Sequence, residues 1–185
     1  MGGRRVERKP LPKRKSPHLP QYDYRQCGYY FVTICTKVRN RDILGSIIPW
    51  ERVGGGLCPA PPTGCLTPAG KIVEDAITAI PSLYAGVEID TYCIMPDHVH
   101  LIIAIPAGRD RARPLPVMIG RFKSYTDHGY RGLTDKKTPG LWQRGFYDHV
   151  IRNDADLDAA RRYVRNNPVK KQERESIYAE KETTQ

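Results

Sequence analysis

The order of its apolar segments predicts that this 185-residue chain adopts an α+β fold with one antiparallel sheet. Four short segments are rich in β-branched and aromatic residues, which favour strands, and two longer segments repeat apolar residues at helical spacing. Along the chain they follow the order β-α-β-β-α-β, and one further helical segment comes last. This order is typical of the ferredoxin-like split β-α-β sandwich, an architecture that RNA-recognition (RRM-like) domains share.

The first half of the chain supplies one strand, one loop and one helix. Residues 29–37, YYFVTICTK, are aromatic and β-branched and predict the first strand. Residues 54–68 are rich in glycine and proline, which suit neither a helix nor a central strand, so we expect a long loop there. Thr67 and Pro68 provide the N-cap and first residue of a helix that extends to about residue 84.

The second half supplies three more strands, expected at residues 87–95, 98–105 and 146–152. A second helix is expected over about 117–130, because its apolar residues recur at helical spacing. The last helix is expected over about 155–167. Asn153 or Asp154 would cap its start, and Pro168 would mark its end.

Composition favours a nucleic-acid partner. The chain has 30 Lys and Arg against 20 Asp and Glu, a net charge of +10, and its first fifteen residues alone contribute +6. A membrane partner is not expected, because no apolar run approaches the roughly 18 residues that a spanning helix needs. The five cysteines are odd in number and lack a C-x-x-C pair, which indicates free thiols in a reducing cytoplasm.

Two histidines, His98 and His100, alternate with apolar residues on the predicted third strand. Residues two apart on a strand share a face, so both imidazoles should point one way, with Val99 and Leu101 pointing into the core. Two neighbouring imidazoles suit one half of a metal site. The same pattern also suits two ordinary histidines on a half-exposed strand.

The last predicted helix presents a phenol and an amide together. Leu157, Ala160 and Val164 form its apolar stripe, and Tyr163 and Asn167, four residues apart, lie along one edge of that stripe. Taken singly, each has an ordinary explanation: a half-buried aromatic residue, and a helix-ending residue before a proline.

Three runs, MPDHVHLII, LWQRGFYDHVIRND and RRYVRNNPVK, occur in that order and resemble the single-tyrosine HUH transposases. They most resemble the REP-associated tyrosine transposases of bacteria. The run PQYDYRQCGYYFVTICT is similar to the first strand of that group, so the resemblance covers about residues 18–172. It implies a cytoplasmic, nucleoid-associated enzyme that cuts and rejoins single-stranded DNA at hairpin-forming repeats.

Site residues follow from this resemblance by position. His98 and His100 match the two metal-binding histidines, Asn167 matches the amide that completes the site, and Tyr163 matches the catalytic tyrosine. The tyrosine oxygen attacks phosphorus and forms a 5′-phosphotyrosine intermediate. A divalent cation, Mg²⁺ or Mn²⁺, would offset the charge that develops on the phosphate.

Supporting and DNA-binding residues are also expected. Asp97 and His149 are candidates to support the metal ligands. Candidates for DNA contact are the following cationic and aromatic side chains: Arg4, Arg5, Lys13, Arg14, Arg121, Lys123, Trp142, Arg144, Arg161 and Arg165. Phe146 and Tyr147 are further candidates for stacking on bases, although packing in the core would equally explain any of these aromatic residues.

The expected organisation is a basic arm over residues 1–20, an HUH transposase domain over 21–172, and a polar tail over 173–185. Two alternatives remain: a nickase of the replication-initiator or relaxase type with the same chemistry, and an RRM-like binding module without catalysis. Such a module should carry exposed aromatic residues on its central strands, where this sequence has histidines. Either a monomer or a homodimer is compatible with the sequence.

Overall fold

The computed structural model describes residues 22–38, 41–46, 66–107, 113–135 and 137–182. Its strands are β1 (Gly28–Cys35), β2 (Glu88–Met95), β3 (His98–Ile105) and β4 (Tyr147–Ile151). Its helices are α1 (Pro68–Leu83), α2 (Leu115–Gly132) and α3 (Asp154–Glu182). The predictions for the basic arm and for most of the Gly/Pro-rich loop lie outside the described residues.

The four strands form one sheet in the order β2-β3-β1-β4, and every neighbouring pair is antiparallel. The predicted α+β ferredoxin-like fold is therefore confirmed. β1 and β3 are the central strands, and their register sets Cys35 opposite His98 and Thr33 opposite His100. β2 pairs with β3 through one irregularity between Ile89 and Thr91.

The two faces of the sheet are covered differently. One face packs against α1 and α2 around a large apolar core that includes Val99 and Leu101, as their alternation with the histidines predicts. The opposite face, which we call the histidine face, carries His98 and His100. There α3 packs mainly on β2 and β3, and Val164 belongs to a smaller apolar cluster. The helix that carries the candidate tyrosine thus lies on the same side of the sheet as the imidazoles.

Helix starts follow the predicted caps, but one helix end does not. The Thr67 hydroxyl accepts a hydrogen bond from the Gly70 amide at 3.1 Å, and the Asn153 side chain accepts one from the Asp156 amide at 2.9 Å. The predicted end at Pro168 is wrong, because α3 continues through it. Proline removes one backbone hydrogen bond and its ring crowds the preceding turn, but the residues that follow include many good helix formers, and the helix continues through them.

Two expectations from composition can be compared with the described ranges. Cys27, Cys35 and Cys93, the cysteines within these ranges, are not in disulfide bonds. None of the helices in the same ranges combines the length and the apolar character required to cross a membrane.

Candidate active site

β3 brings the two candidate imidazoles into contact. Alternation along the strand turns His98 and His100 to one face, and their Nε2 atoms lie 3.1 Å apart. Val99, between them, is buried in the core on the other side, which anchors the backbone that carries both rings. Two converging ring nitrogens are well placed to bind one cation together.

Each ring is oriented through its other nitrogen. His98 Nδ1 lies 2.7 Å from the Asp97 carboxylate, and His100 Nδ1 lies 2.8 Å from the Thr33 hydroxyl. An ionised Asp97 carboxylate can only accept, so in the neutral tautomer of His98 that donates from Nδ1, the Nε2 lone pair is directed toward His100. Outer partners of this kind commonly orient metal-binding histidines. Sequence reasoning missed Thr33, since its position depends on the register between β1 and β3.

Burial keeps His100 uncharged. Only 4% of the residue is exposed, and this burial, followed by the proximity of His98, lowers the pKa of His100 to about 3. The ring is therefore neutral near pH 7, which is the form that binds metals.

Tyr163 reaches the imidazoles from α3. Its ring centroid lies 5.3 Å from that of His100 and 5.7 Å from that of Phe31. Phe31 in turn stacks on His100, with centroids 5.3 Å apart and planes at 21°. Phe31, which sequence reasoning did not identify, therefore contacts both the candidate ligand and the candidate nucleophile. Tyr163 remains 45% exposed, so a substrate can approach its phenol.

Asn167 lies one turn after Tyr163 on the same helix. Its Nδ2 atom is buried and has no hydrogen-bond partner within the described part of the chain. Leaving a buried amide unpaired costs about 1–3 kcal/mol. Turned over, the amide offers an oxygen instead. No cluster of three or more His, Cys, Asp and Glu side chains suited to a metal occurs in the described ranges.

The donor set fits the expected cation. Two imidazole nitrogens and one amide oxygen form a mixed nitrogen and oxygen set, which suits Mn²⁺ and also accepts Mg²⁺. The outer hydrogen bonds of Asp97 and Thr33 leave both Nε2 atoms directed at the same point. The residues present therefore fit a divalent metal.

Other predicted residues have different surroundings. His149 was expected to support the imidazoles of His98 and His100. Its Nε2 instead lies 2.9 Å from the carboxylate of Asp156, at the start of α3. The ammonium of Lys123 donates to the backbone carbonyls of residues 143–145 at 2.6–3.2 Å, so its protons are engaged internally. Arg161 forms an ion pair with Asp90, which raises the pKa of its guanidinium.

The remaining DNA-binding candidates divide by position. Trp142 was expected to contact DNA, but it is 8% exposed and its indole N–H donates to the Thr126 hydroxyl in the core, so its ring cannot stack on a base. Arg121 lies on α2, across the sheet from the histidines. Arg144 and Arg165 are exposed. Arg4, Arg5, Lys13 and Arg14 lie outside the described residues.

Comparison with known proteins identifies the family. The family model described as "Transposase IS200 like" matches residues 72–167, just over half of the 185 residues. An uncharacterized protein of Haemophilus influenzae is 31% identical over 175 residues, which cover 84% of this chain and 88% of that protein. A second protein of that organism, designated a candidate REP-associated tyrosine transposase, is 32% identical over 90 residues, 42% of this chain and 47% of its own.

A solved structure shows the same fold. It is a REP-associated tyrosine transposase bound to a REP hairpin, with a TM-score of 0.55 and 20% identity, covering 83% of this chain and 73% of that one. The family match includes β3, with both histidines, and the part of α3 that carries Tyr163 and Asn167. The chain belongs to the IS200-like transposase family.

Proposed function

We propose that this transposase cuts and rejoins single-stranded DNA through a covalent bond between Tyr163 and a 5′-phosphate. One observation carries the proposal: a half-exposed phenol on α3 lies beside two converging imidazoles on β3, with the rings of Tyr163 and His100 5.3 Å apart. A nucleophile and a group able to bind a cation at the phosphate are the two parts that this chemistry requires.

The reaction proceeds in two exchanges at phosphorus. In the first, the Tyr163 oxygen attacks the phosphorus and the bond to the 3′-oxygen breaks. The phenolic proton passes to solvent, and the departing 3′-oxygen takes up a proton. In the second, a 3′-hydroxyl attacks the phosphotyrosine, which joins the strands and restores the phenol. Because each step replaces one ester by another, the bond energy is retained throughout.

Residues of this chain hold the parts in place. His98, His100 and Asn167 would hold a divalent cation, Mg²⁺ or Mn²⁺, which when bound neutralises charge developing on the phosphate. Asp97 and Thr33 orient the two imidazoles. Phe31 packs against both His100 and Tyr163 and so fixes the distance between ligand and nucleophile.

The proposed substrate is a DNA hairpin with single-stranded flanks, in the bacterial cytoplasm. The net charge of +10 suits a polyanion, and the relative of the same fold was solved with a REP hairpin. Membership of a transposase family favours cutting followed by rejoining over the single nicking step of a replication initiator.

The first prediction is that Tyr163→Phe abolishes the covalent adduct. The protein is incubated with Mn²⁺ and a hairpin oligonucleotide labelled at its 3′ end, the side that the tyrosine retains, and run on a denaturing gel. The parent should give a labelled protein band. Tyr163→Phe keeps the ring and its packing, so it should fold and bind DNA but give no band.

Tyr125→Phe is the matched control, because Tyr125 is also exposed but lies on α2, across the sheet. This variant should form the adduct normally. Mass spectrometry of the parent adduct should locate the nucleotide on Tyr163; a nucleotide on any other of the eleven tyrosines would refute the assignment.

A further inference from the structure

One aromatic ring on the histidine face next to the candidate site is open to solvent. α3 packs mainly on β2 and β3, and its start reaches the end of β4, where Ile151 is buried in one cluster with Leu157 and Val164. Tyr147, at the other end of β4 on the same face, is 58% exposed. An exposed aromatic ring beside a site for nucleic-acid chemistry suggests a place for a base.

The strand register aligns this tyrosine with the site. Tyr147 on β4 is opposite Thr33 on β1, and Thr33 is opposite His100 on β3. Partners directly across neighbouring strands share a face, so these three side chains form one row across the sheet. At about 4.8 Å per strand, the Cα atoms of Tyr147 and His100 are about 10 Å apart.

The opposite direction along the row is blocked. Beyond His100 the next residue is Cys93 on β2, which is buried beneath α3 in the same cluster as Val164. A DNA strand with its phosphate at His100 can therefore continue over Thr33 and Tyr147 but not over Cys93.

Only one of three neighbouring aromatic residues can present its ring to a base. Trp142 and Phe146 are each 8% exposed and belong to the core on the other face. His149, next on the histidine face of β4, is paired with Asp156. This leaves Tyr147 as the aromatic residue of the segment 142–149 whose ring is both exposed and on the histidine face.

We infer that Tyr147 stacks on a base of the single-stranded DNA flanking the scissile phosphate. The inference rests on the proposed function, and it adds a residue that positions the substrate without taking part in the bond exchange. Stacking on an aromatic face tolerates any base, so Tyr147 would contribute affinity and alignment rather than sequence preference.

The test measures binding without cleavage. Tyr147→Ala, Tyr147→Phe and Tyr147→Trp are each made in the Tyr163→Phe background. Their affinity for a fluorescein-labelled, mixed-sequence single strand of about 15 nucleotides is measured by anisotropy. Tyr147→Ala should weaken binding about 5- to 150-fold, the range expected for one lost base stack. Tyr147→Phe and Tyr147→Trp keep an aromatic face and should bind within about twofold of the background protein.

Tyr125→Ala is the control, because it removes a similarly exposed tyrosine from α2 and should leave affinity unchanged. A 2-aminopurine base placed beside the scissile position should be quenched on binding in the background protein and not in Tyr147→Ala. If the parent forms its adduct but Tyr147→Ala binds as tightly as the background, the stacking inference is wrong and the proposed function stands. A parent that neither binds the single strand nor forms an adduct refutes both.

Discussion

At the scale of single residues, the site depends on which nitrogen of each imidazole is already engaged. Asp97 and Thr33 take the Nδ1 atoms, so both Nε2 atoms face one another at 3.1 Å. Two lone pairs facing each other at that distance repel unless a proton or a cation lies between them. On the proposed function, the amide of Asn167 would be the third ligand of such a cation; its nitrogen lacks a partner within the described residues.

We expect His100→Ala to abolish Mn²⁺ binding and Mn²⁺-dependent cleavage. The substitution removes one of two imidazole donors, and calorimetric titration of the protein with Mn²⁺ should show no saturable heat. The control is His128→Ala, which removes an exposed histidine on α2. Cleavage by His100→Ala at the parent rate in Mn²⁺ would show that the metal site lies elsewhere.

At the scale of elements, the start of α1 depends on a close approach. A Cβ atom added at Gly70 would lie 1.8 Å from the backbone oxygen of Leu44, far inside any tolerated contact. Thr67 holds the same junction, since its hydroxyl donates to the Ile43 carbonyl at 2.6 Å while capping the helix. The backbone of residues 41–46 is thus packed directly against the backbone of the first turn of α1.

Gly70→Ala should therefore destabilise the fold by more than about 2 kcal/mol, because backbone atoms must move to admit the methyl group. Gly120→Ala on α2 is the matched control. Nothing lies within 4 Å of its added Cβ, so it should stabilise by about 0.5–1 kcal/mol. Urea unfolding followed by circular dichroism measures both; equal midpoints for the two variants would contradict the close approach.

The elements also show what the sequence could and could not predict. Local signals predicted the strand of His98 and His100 and the cap at Thr67, because alternation and capping depend on neighbouring residues. Thr33 and Phe31 were not predicted, since their places beside His100 come from pairing with a strand more than sixty residues away. Lys123 and Trp142 were misjudged because charge and aromaticity alone do not reveal what a side chain packs against.

At the scale of the whole molecule, charge is unevenly distributed. The first fifteen residues contribute +6 of the net +10, so much of the nonspecific attraction to DNA should come from the arm. The other 170 residues carry the remaining +4, and among those that the structure describes, Lys123 and Arg161 are engaged internally.

We therefore expect deletion of residues 1–15 to weaken binding to single-stranded DNA and to flatten its salt dependence. Each lost phosphate contact should remove roughly 0.7 from the slope of log affinity against log salt. Replacing the arm's seven Lys and Arg residues by Gln, at unchanged length, should have the same effect. A slope that stays the same in both variants would show that the arm does not contact DNA.

The placement of Tyr163 on α3, after every strand of the sheet, has a consequence for synthesis. Chains emerge from the ribosome N-terminus first and fold in that order. All four strands, and with them the paired imidazoles, leave the ribosome before the phenol and Asn167. On the proposed chemistry, a nascent chain therefore gains the ability to break a DNA strand only after α3 has emerged, and a chain terminated before α3 never gains it.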